Sequence, residues 1–228
     1  MSKILYLGHA TVVIINDFGN IVIDPFFTGN PLNPMKVEEC KAKYILITHG
    51  HSDHLGNAAQ IAKNNDATVV AVYEIAHYLE SFGVKNLVQM NIGGTVSFDK
   101  FSVKMVPAVH SSSIAVNGSL IYGGVPAGFV IKLEDLTIYH AGDTALFSDM
   151  SIIGSQFSID VAFLPVGGYF TMDINDALMA VKMIHPKYVV PMHYNTWDII
   201  SVDIEKFKEM VDKETRSTCL ILKPGEAF

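Results

Sequence analysis

His49-Gly50-His51-Ser52-Asp53-His54 places four side chains able to bind a metal ion within six residues. An apolar run, Tyr44-Ile45-Leu46-Ile47, precedes it. A segment with helical character, Asn57-Ala58-Ala59-Gln60-Ile61-Ala62-Lys63, follows. Imidazole and carboxylate are the donors that zinc and similar divalent ions favour. His49 and His51, two residues apart on a short turn, can face one ion while Asp53 and His54 face its neighbour. The simpler reading is a polar turn in which Ser52 or Asp53 caps the next helix. Capping accounts for one of these residues and gives no reason for three histidines. The two readings are compatible, since an aspartate at a helix start can both cap and ligate.

Outward from this stretch, short apolar runs alternate with helical periodicity. The pattern predicts strands at residues 4–7, 11–15, 21–23, 44–48, 68–72, 96–98, 101–106, 127–133, 136–140, 161–165, 188–191 and 218–222, and helices at 57–64, 75–82, 176–184 and 202–213. The mixture predicts an α/β protein with sheets covered by helices. No linker-like stretch or short-period repeat interrupts it, so residues 1–228 read as a single domain. Residues 111–126, with Ser111-Ser112-Ser113, Gly118, Gly123 and Gly124, read as a long flexible loop, a candidate lid or pocket wall. Asp24, His49, His110, Asp143 and His193 each fall just beyond the carboxyl end of an expected strand. That is where α/β sheets build their sites. Each has a bland reading alone, as a turn, cap or packed residue; together they point to one shared site.

Half of the 228 residues are hydrophobic and 17% are charged, which supports a large core and argues against disorder. The net charge of −7 and a single arginine, Arg216, count against a long nucleic acid partner. Any anionic substrate must be held by metals, lysines or backbone amides. Two cysteines, Cys40 and Cys219, make no disulfide framework, and Cys219 reads as a core residue. No run approaches the roughly 18 apolar residues of a membrane span, and the N-terminus lacks a secretory pattern. A cytoplasmic protein without a membrane partner is expected, with homo-oligomer formation left open.

The residues His49-x-His51-x-Asp53-His54, then His110, Asp143 and His193 in that order, resemble the five-motif pattern of the metallo-β-lactamase superfamily, with Asp24 matching its first motif. Asp24-Pro25-Phe26, Thr48 to Gly56, Asn91-Ile92-Gly93-Gly94-Thr95, His140-Ala141-Gly142-Asp143-Thr144, Pro191-Met192-His193-Tyr194-Asn195-Thr196 and Lys223-Pro224-Gly225-Glu226 are similar to a family of metal-dependent hydrolases within it. The resemblance covers the whole chain. It implies a four-layer αβ/βα sandwich with two metal ions at one edge: His49, His51 and His110 on the first, Asp53, His54 and His193 on the second, and Asp143 bridging. Two positions depart from the family. Gly168-Tyr169 stands where an Asp-Asn-like pair is expected, and Trp197-Asp198 where Phe-Pro is expected. Both departures bear on substrate preference.

Two ions about 3.5–4 Å apart can share a water and lower its pKa from 15.7 toward roughly 7. The expected reaction is attack of the resulting hydroxide on a small ester, lactone or phosphoester. Asp53 would orient the nucleophile and shuttle its proton. Zinc is the first expectation, and manganese, iron, nickel and cobalt also suit such donors. Flavodiiron-type relatives carry glutamate where this chain has His51, which disfavours redox chemistry. Rival readings are a mononuclear iron thiol or persulfide oxygenase and a non-catalytic metal-dependent binding module. His9 is a second catalytic candidate, as a donor to substrate, against a packed or turn histidine. Asp24 is expected to accept a hydrogen bond from a ligating histidine. His77, His140 and His185 read as structural. Tyr169, Tyr194 and Trp197 are candidate pocket residues, with core packing as the alternative.

Overall fold

The computed structural model describes residues 2–228. Its first sheet takes six strands in chain order: β1 (Lys3–Tyr6), β2 (Val12–Ile15), β3 (Ile21–Ile23), β4 (Tyr44–Leu46), β5 (Thr68–Val72) and β6 (Leu87–Met90). The sheet starts as an antiparallel meander from β1 to β3 and turns parallel from β3 to β6. The second half opens with β7 (Thr95–Ser97) and β8 (Phe101–Pro107), then a separate hairpin of β9 (Ser113–Val116) and β10 (Ser119–Tyr122). It continues with β11 (Ala127–Leu133), β12 (Thr137–His140), β13 (Val161–Pro165), β14 (Tyr188–Met192) and β15 (Thr218–Cys219). The second sheet runs β15-β14-β13-β12-β11-β8-β7, antiparallel from β7 to β12 and parallel from β12 to β15. Each sheet is thus a meander continued by parallel strands.

Burial on both faces explains the unbroken apolar strands. Side chains alternate between the two sides at period two. Leu46 and Val70 join Val12, Ile14, Phe129, Ile131, Phe163 and Val190 in a core between the sheets. Ile45, Val69 and Ala71 point outward, against α2 (Ala58–Asn65) and α3 (Tyr73–Glu80). On the far side Tyr139, Ala162, Leu164 and Val189 meet α4 (Met150–Gln156), α5 (Ile174–Ile184) and α6 (Ile204–Glu214). The result is the expected four-layer αβ/βα sandwich. Asp173 caps α5 through the amides of Asn175 and Asp176, and Asp203 caps α6 through that of Lys206.

Three segments differ from the sequence reading. Strand β6 and helix α4 were absent from it. Helix α4 carries Gly154 and three serine or glutamine positions, a weak helical signature. Its glycine is required by packing: a Cβ there would lie 2.5 Å from the Met183 carbonyl of α5. Residues 111–126 are not a flexible loop, because their middle forms the β9–β10 hairpin. Asn117 and Gly118 both take positive φ, 48° and 80°, as a two-residue type I′ turn requires. Among the described residues, no helix is long and apolar enough to cross a membrane.

Candidate metal centre

Strands β1, β3, β4, β8, β12 and β14 all run in the sense that delivers their carboxyl ends to one edge of the sandwich. His9 follows β1, Asp24 follows β3, and the 49–54 stretch follows β4. His110, Asp143 and His193 follow β8, β12 and β14. His9, Asp24 and His193 sit in left-handed backbone at φ 56°, 45° and 56°. Non-glycine residues hold that conformation at a cost of ~1 kcal/mol or more each, and such strain gathers at functional sites. Here it is held by hydrogen bonds: the His9 carbonyl accepts from the His193 amide at 2.7 Å and from the Tyr6 hydroxyl at 3.0 Å. One strained residue therefore ties the first sheet's edge to the second's.

The donors fall into overlapping groups. His49, His51 and His110 bring three ring nitrogens together; His9, Asp53, His54 and His193 bring three ring nitrogens and a carboxylate oxygen; His49, His54 and Asp143 form a third group. Within each group the donor atoms lie within 4.8 Å of one another. Asp143 touches both sides: its Oδ2 is 3.0 Å from His193 Nε2, 3.6 Å from His110 Nε2 and 4.0 Å from His49 Nε2, and its Oδ1 is 3.3 Å from His54 Nε2. All seven residues expected from the sequence as ligands are brought together, and His9 joins them. Neither Ser52 nor Asp53 caps the single helical turn α1 (Ser52–Leu55). His51 occupies the N-cap position without a side-chain cap bond.

A relay fixes how two of the imidazoles face. Asp24 is fully buried and accepts at Oδ1 from the Thr48 amide, and at Oδ2 from the Thr48 hydroxyl at 2.6 Å and His54 Nδ1 at 2.8 Å. An ionised carboxylate only accepts, so Thr48 Oγ1 donates to it and is free to accept from His49 Nδ1 at 3.0 Å. One carboxylate thus directs Nε2 of both His49 and His54 inward, that of His49 lying 3.0 Å from His51 Nδ1. His54 Nε2 and Asp143 Oδ1 are buried and make no hydrogen bond. Two inward acceptors without a donor between them fit a cation, and the carboxylate–histidine pairing is the usual support of a metal-bound imidazole. Sequence reading anticipated Asp24 but not Thr48, whose only signal is its place before His49.

Electrostatics point the same way. Burial alone would lower His54 and His193, but Asp143 first, with Asp53, overrides it and raises both, His193 to about 9. The buried carboxylates call for positive charge in the pocket. Asp53 is held well below the usual carboxylate range: burial pushes it up, and His54, His193 and His9 more than offset that. His9, fully buried, is lowered to about 4, chiefly by desolvation. Its ring lies between Asp53 Oδ2, 3.0 Å from Nε2, and Thr196 Oγ1, 2.8 Å from Nδ1. As a neutral ring it donates from Nε2 to the Asp53 carboxylate and accepts from Thr196 at Nδ1. Thr196 was not singled out from the sequence.

Around these donors lies a groove of about 610 Å³ walled on one side by Phe26, Phe170, Trp197 and Ile199. Trp197 lines it, as one sequence reading had it. Tyr194 and Tyr169 do not: Tyr194 packs against the helix-side core and Tyr169 is exposed beside Phe170. Of the 111–126 segment, only Ser111 reaches the groove, and Ser112 donates to Gly123 while accepting from the Gly50 amide. His140 is buried with Nε2 on the Ala10 carbonyl, His185 ends α5 in left-handed backbone, and His77 is an exposed partner of Glu80, in line with structural roles.

A family model described as "Beta-lactamase superfamily domain" matches residues 19–194. The "UPF0173 metal-dependent hydrolase" of Pelotomaculum thermopropionicum is 49% identical over 227 residues, covering 99% of both chains. The chain belongs to the metal-dependent hydrolases of the metallo-β-lactamase superfamily. Another such hydrolase, from Archaeoglobus fulgidus, is 43% identical over 99% of this chain and 98% of its own. Among solved structures, the metallo hydrolase Igni18 of Ignicoccus hospitalis superposes with a TM-score of 0.89 at 36% identity, covering 100% of this chain and 97% of that one. The agreement of fold and length with this hydrolase family matches the family and fold that the motifs along the whole chain implied.

Proposed function

We propose that the protein is a dinuclear hydrolase, with His49, His51 and His110 holding one divalent ion, Asp53, His54 and His193 the other, and Asp143 bridging them. The observation that carries this reading is the pair of donor groups meeting at Asp143, with His54 Nε2 and Asp143 Oδ1 buried and without hydrogen bonds. Seven donors exceed the two histidines and one carboxylate that hold a typical mononuclear iron oxygenase site, which favours two ions over that reading. Zinc suits these donors best; manganese, iron, nickel and cobalt remain compatible. Divalent ions held there would supply an electrophile for the substrate oxygen and would lower the pKa of a bound water from 15.7 toward about 7.

The chain's own groups do the rest. Asp53 accepts the proton that the attacking water releases as the new bond to carbon or phosphorus forms. It returns that proton to the oxygen that leaves. The His9 Nε2–H, 3.0 Å away, keeps the Asp53 carboxylate aimed, and Thr196 fixes the His9 ring from behind. The substrate is a small ester, lactone or phosphoester, and residues 1–228 act as a single domain.

Element analysis of the purified protein, combined with a hydrolysis panel of lactones, thioesters and phosphodiesters, tests the reading. About two metal ions per chain are expected. Asp53→Ala should lower kcat/KM by ~10²-fold or more, in line with loss of a positioned proton carrier. Full activity in that variant, or a single ion at saturation, would overturn the mechanism.

A further inference from the structure

The groove has two chemically distinct sides. One carries the metal-competent donors. The other is apolar: Phe26, Phe170, Trp197 and Ile199. Phe170, Trp197 and Ile199 are 50%, 38% and 51% exposed, so these large side chains present bare surface beside the site. Trp197 is anchored, its ring 4.9 Å from His9 and 6.2 Å from Phe26, so it is held in place beside the donors. Phe170 and Ile199 come from separate segments, the loop after β13 and the 3₁₀ turn at Asp198–Ile200, and converge on the same space. Exposed apolar side chains converging on a concave site mark a ligand surface.

None of the chain's sixteen lysines and arginines lines the groove. The nearest charge in sequence to the apolar wall is exposed Asp198, which is negative. A substrate whose body carried a phosphate or carboxylate would find no cation there once its reacting group had engaged the donors. It would also have to desolvate its charge against aromatic rings.

We propose that this hydrolase selects substrates whose body, away from the bond that is cut, is apolar and carries no anionic group, with Trp197, Phe170 and Ile199 as the specificity-determining residues. The acyl or lactone ring sits at Asp53 and Asp143, and an alkyl or aryl tail lies along Phe26, Trp197, Phe170 and Ile199. Phosphorylated metabolites and polar sugars are thereby disfavoured. The inference rests on the hydrolase reading only for the position of the reacting group.

Trp197 is the only tryptophan of the chain, so its fluorescence reports directly on the proposed wall. Ketones shaped like γ-lactones cannot be hydrolysed and serve as probes on the metal-loaded protein. Cyclopentanone, 2-pentylcyclopentanone and 4-(2-oxocyclopentyl)butanoate are titrated in parallel. The pentyl compound is expected to bind about tenfold or more tightly than cyclopentanone, given the worth of buried methylenes. The butanoate compound should bind about tenfold or more weakly than the pentyl compound. Phe170→Ser with Ile199→Ser, both exposed positions, should cut the pentyl advantage to about threefold or less while far-UV circular dichroism stays unchanged. In turnover, γ-nonalactone should exceed γ-butyrolactone in kcat/KM by a similar factor.

Affinities blind to the tail, or a butanoate tail that binds as well as the pentyl group, would overturn the proposal. An unchanged pentyl advantage in the double variant would overturn the assignment of these residues. If the ketones rank as stated but no member of the hydrolysis panel turns over, the apolar wall stands and the hydrolysis reading falls. If lactones are cleaved at rates indifferent to the tail, the reverse holds.

Discussion

Asp24 is the residue on which most geometry depends while touching none of the expected substrate. Its carboxylate accepts from His54 directly and from His49 through Thr48. Asp24→Asn puts an amide donor among donors, so at least one imidazole loses its aim. Metal affinity is expected to fall ~10–100-fold, the usual effect of losing such a partner, measured by competition with a chelating dye. Thr48→Val should weaken the same affinity by releasing His49 alone. Unaltered affinity in both variants would leave the relay without a role. The two thiols make a contrasting case. Burial pushes Cys40 up to about 11 and Cys219 up to about 12, so both stay protonated at neutral pH. In the unfolded chain a thiol titrates near 8.5. The folded state therefore keeps these protons longer than the unfolded state, and this contribution to stability falls as pH rises above ~8.5. Thiol titration at pH 8 should find no fast-reacting cysteine until denaturant is added.

At the scale of elements, the hairpin of β9 and β10 is the informative case. Asn117-Gly118 between apolar flanks is a strong local hairpin signal, yet the run of serines and glycines around it reads as a loop. Composition over a window masked a two-residue turn. Gly118→Val places a β-branched residue at φ 80° and should open the hairpin. Amide exchange at residues 114–122 should then quicken by about tenfold or more, with β11 and β12 unaffected. Most strands were legible because burial on both faces leaves them as unbroken apolar runs, and the ligand-bearing ends because polar donors abruptly follow those runs. Helix α4 was not legible. Its Gly154 lowers helical propensity for the sake of close packing on α5, a tertiary reason that no local pattern carries. Thr48 and Thr196 were missed for a related cause: their importance lies in which partner across the fold they meet.

For the molecule as a whole, the donors are divided between halves. The first sheet's edge brings His9, His49, His51, Asp53 and His54, and the second's brings His110, Asp143 and His193. On the proposed assignment, metal held between them would bind the folded state and clamp one sheet to the other. Chelation is expected to lower the unfolding temperature by about 5 °C or more, read by calorimetry, with recovery on adding back the metal. An identical transition with and without chelator would remove the clamp. The division also imposes an order in time. During synthesis four donors from residues 49–54 emerge long before His193, which completes the set from more than a hundred residues later. A nascent chain can offer an ion only a loose, partial hold, and tight capture waits until β14 has docked in the second sheet. Metal loading is therefore a late event in the life of each new molecule, and an occupied centre certifies that both halves have found each other.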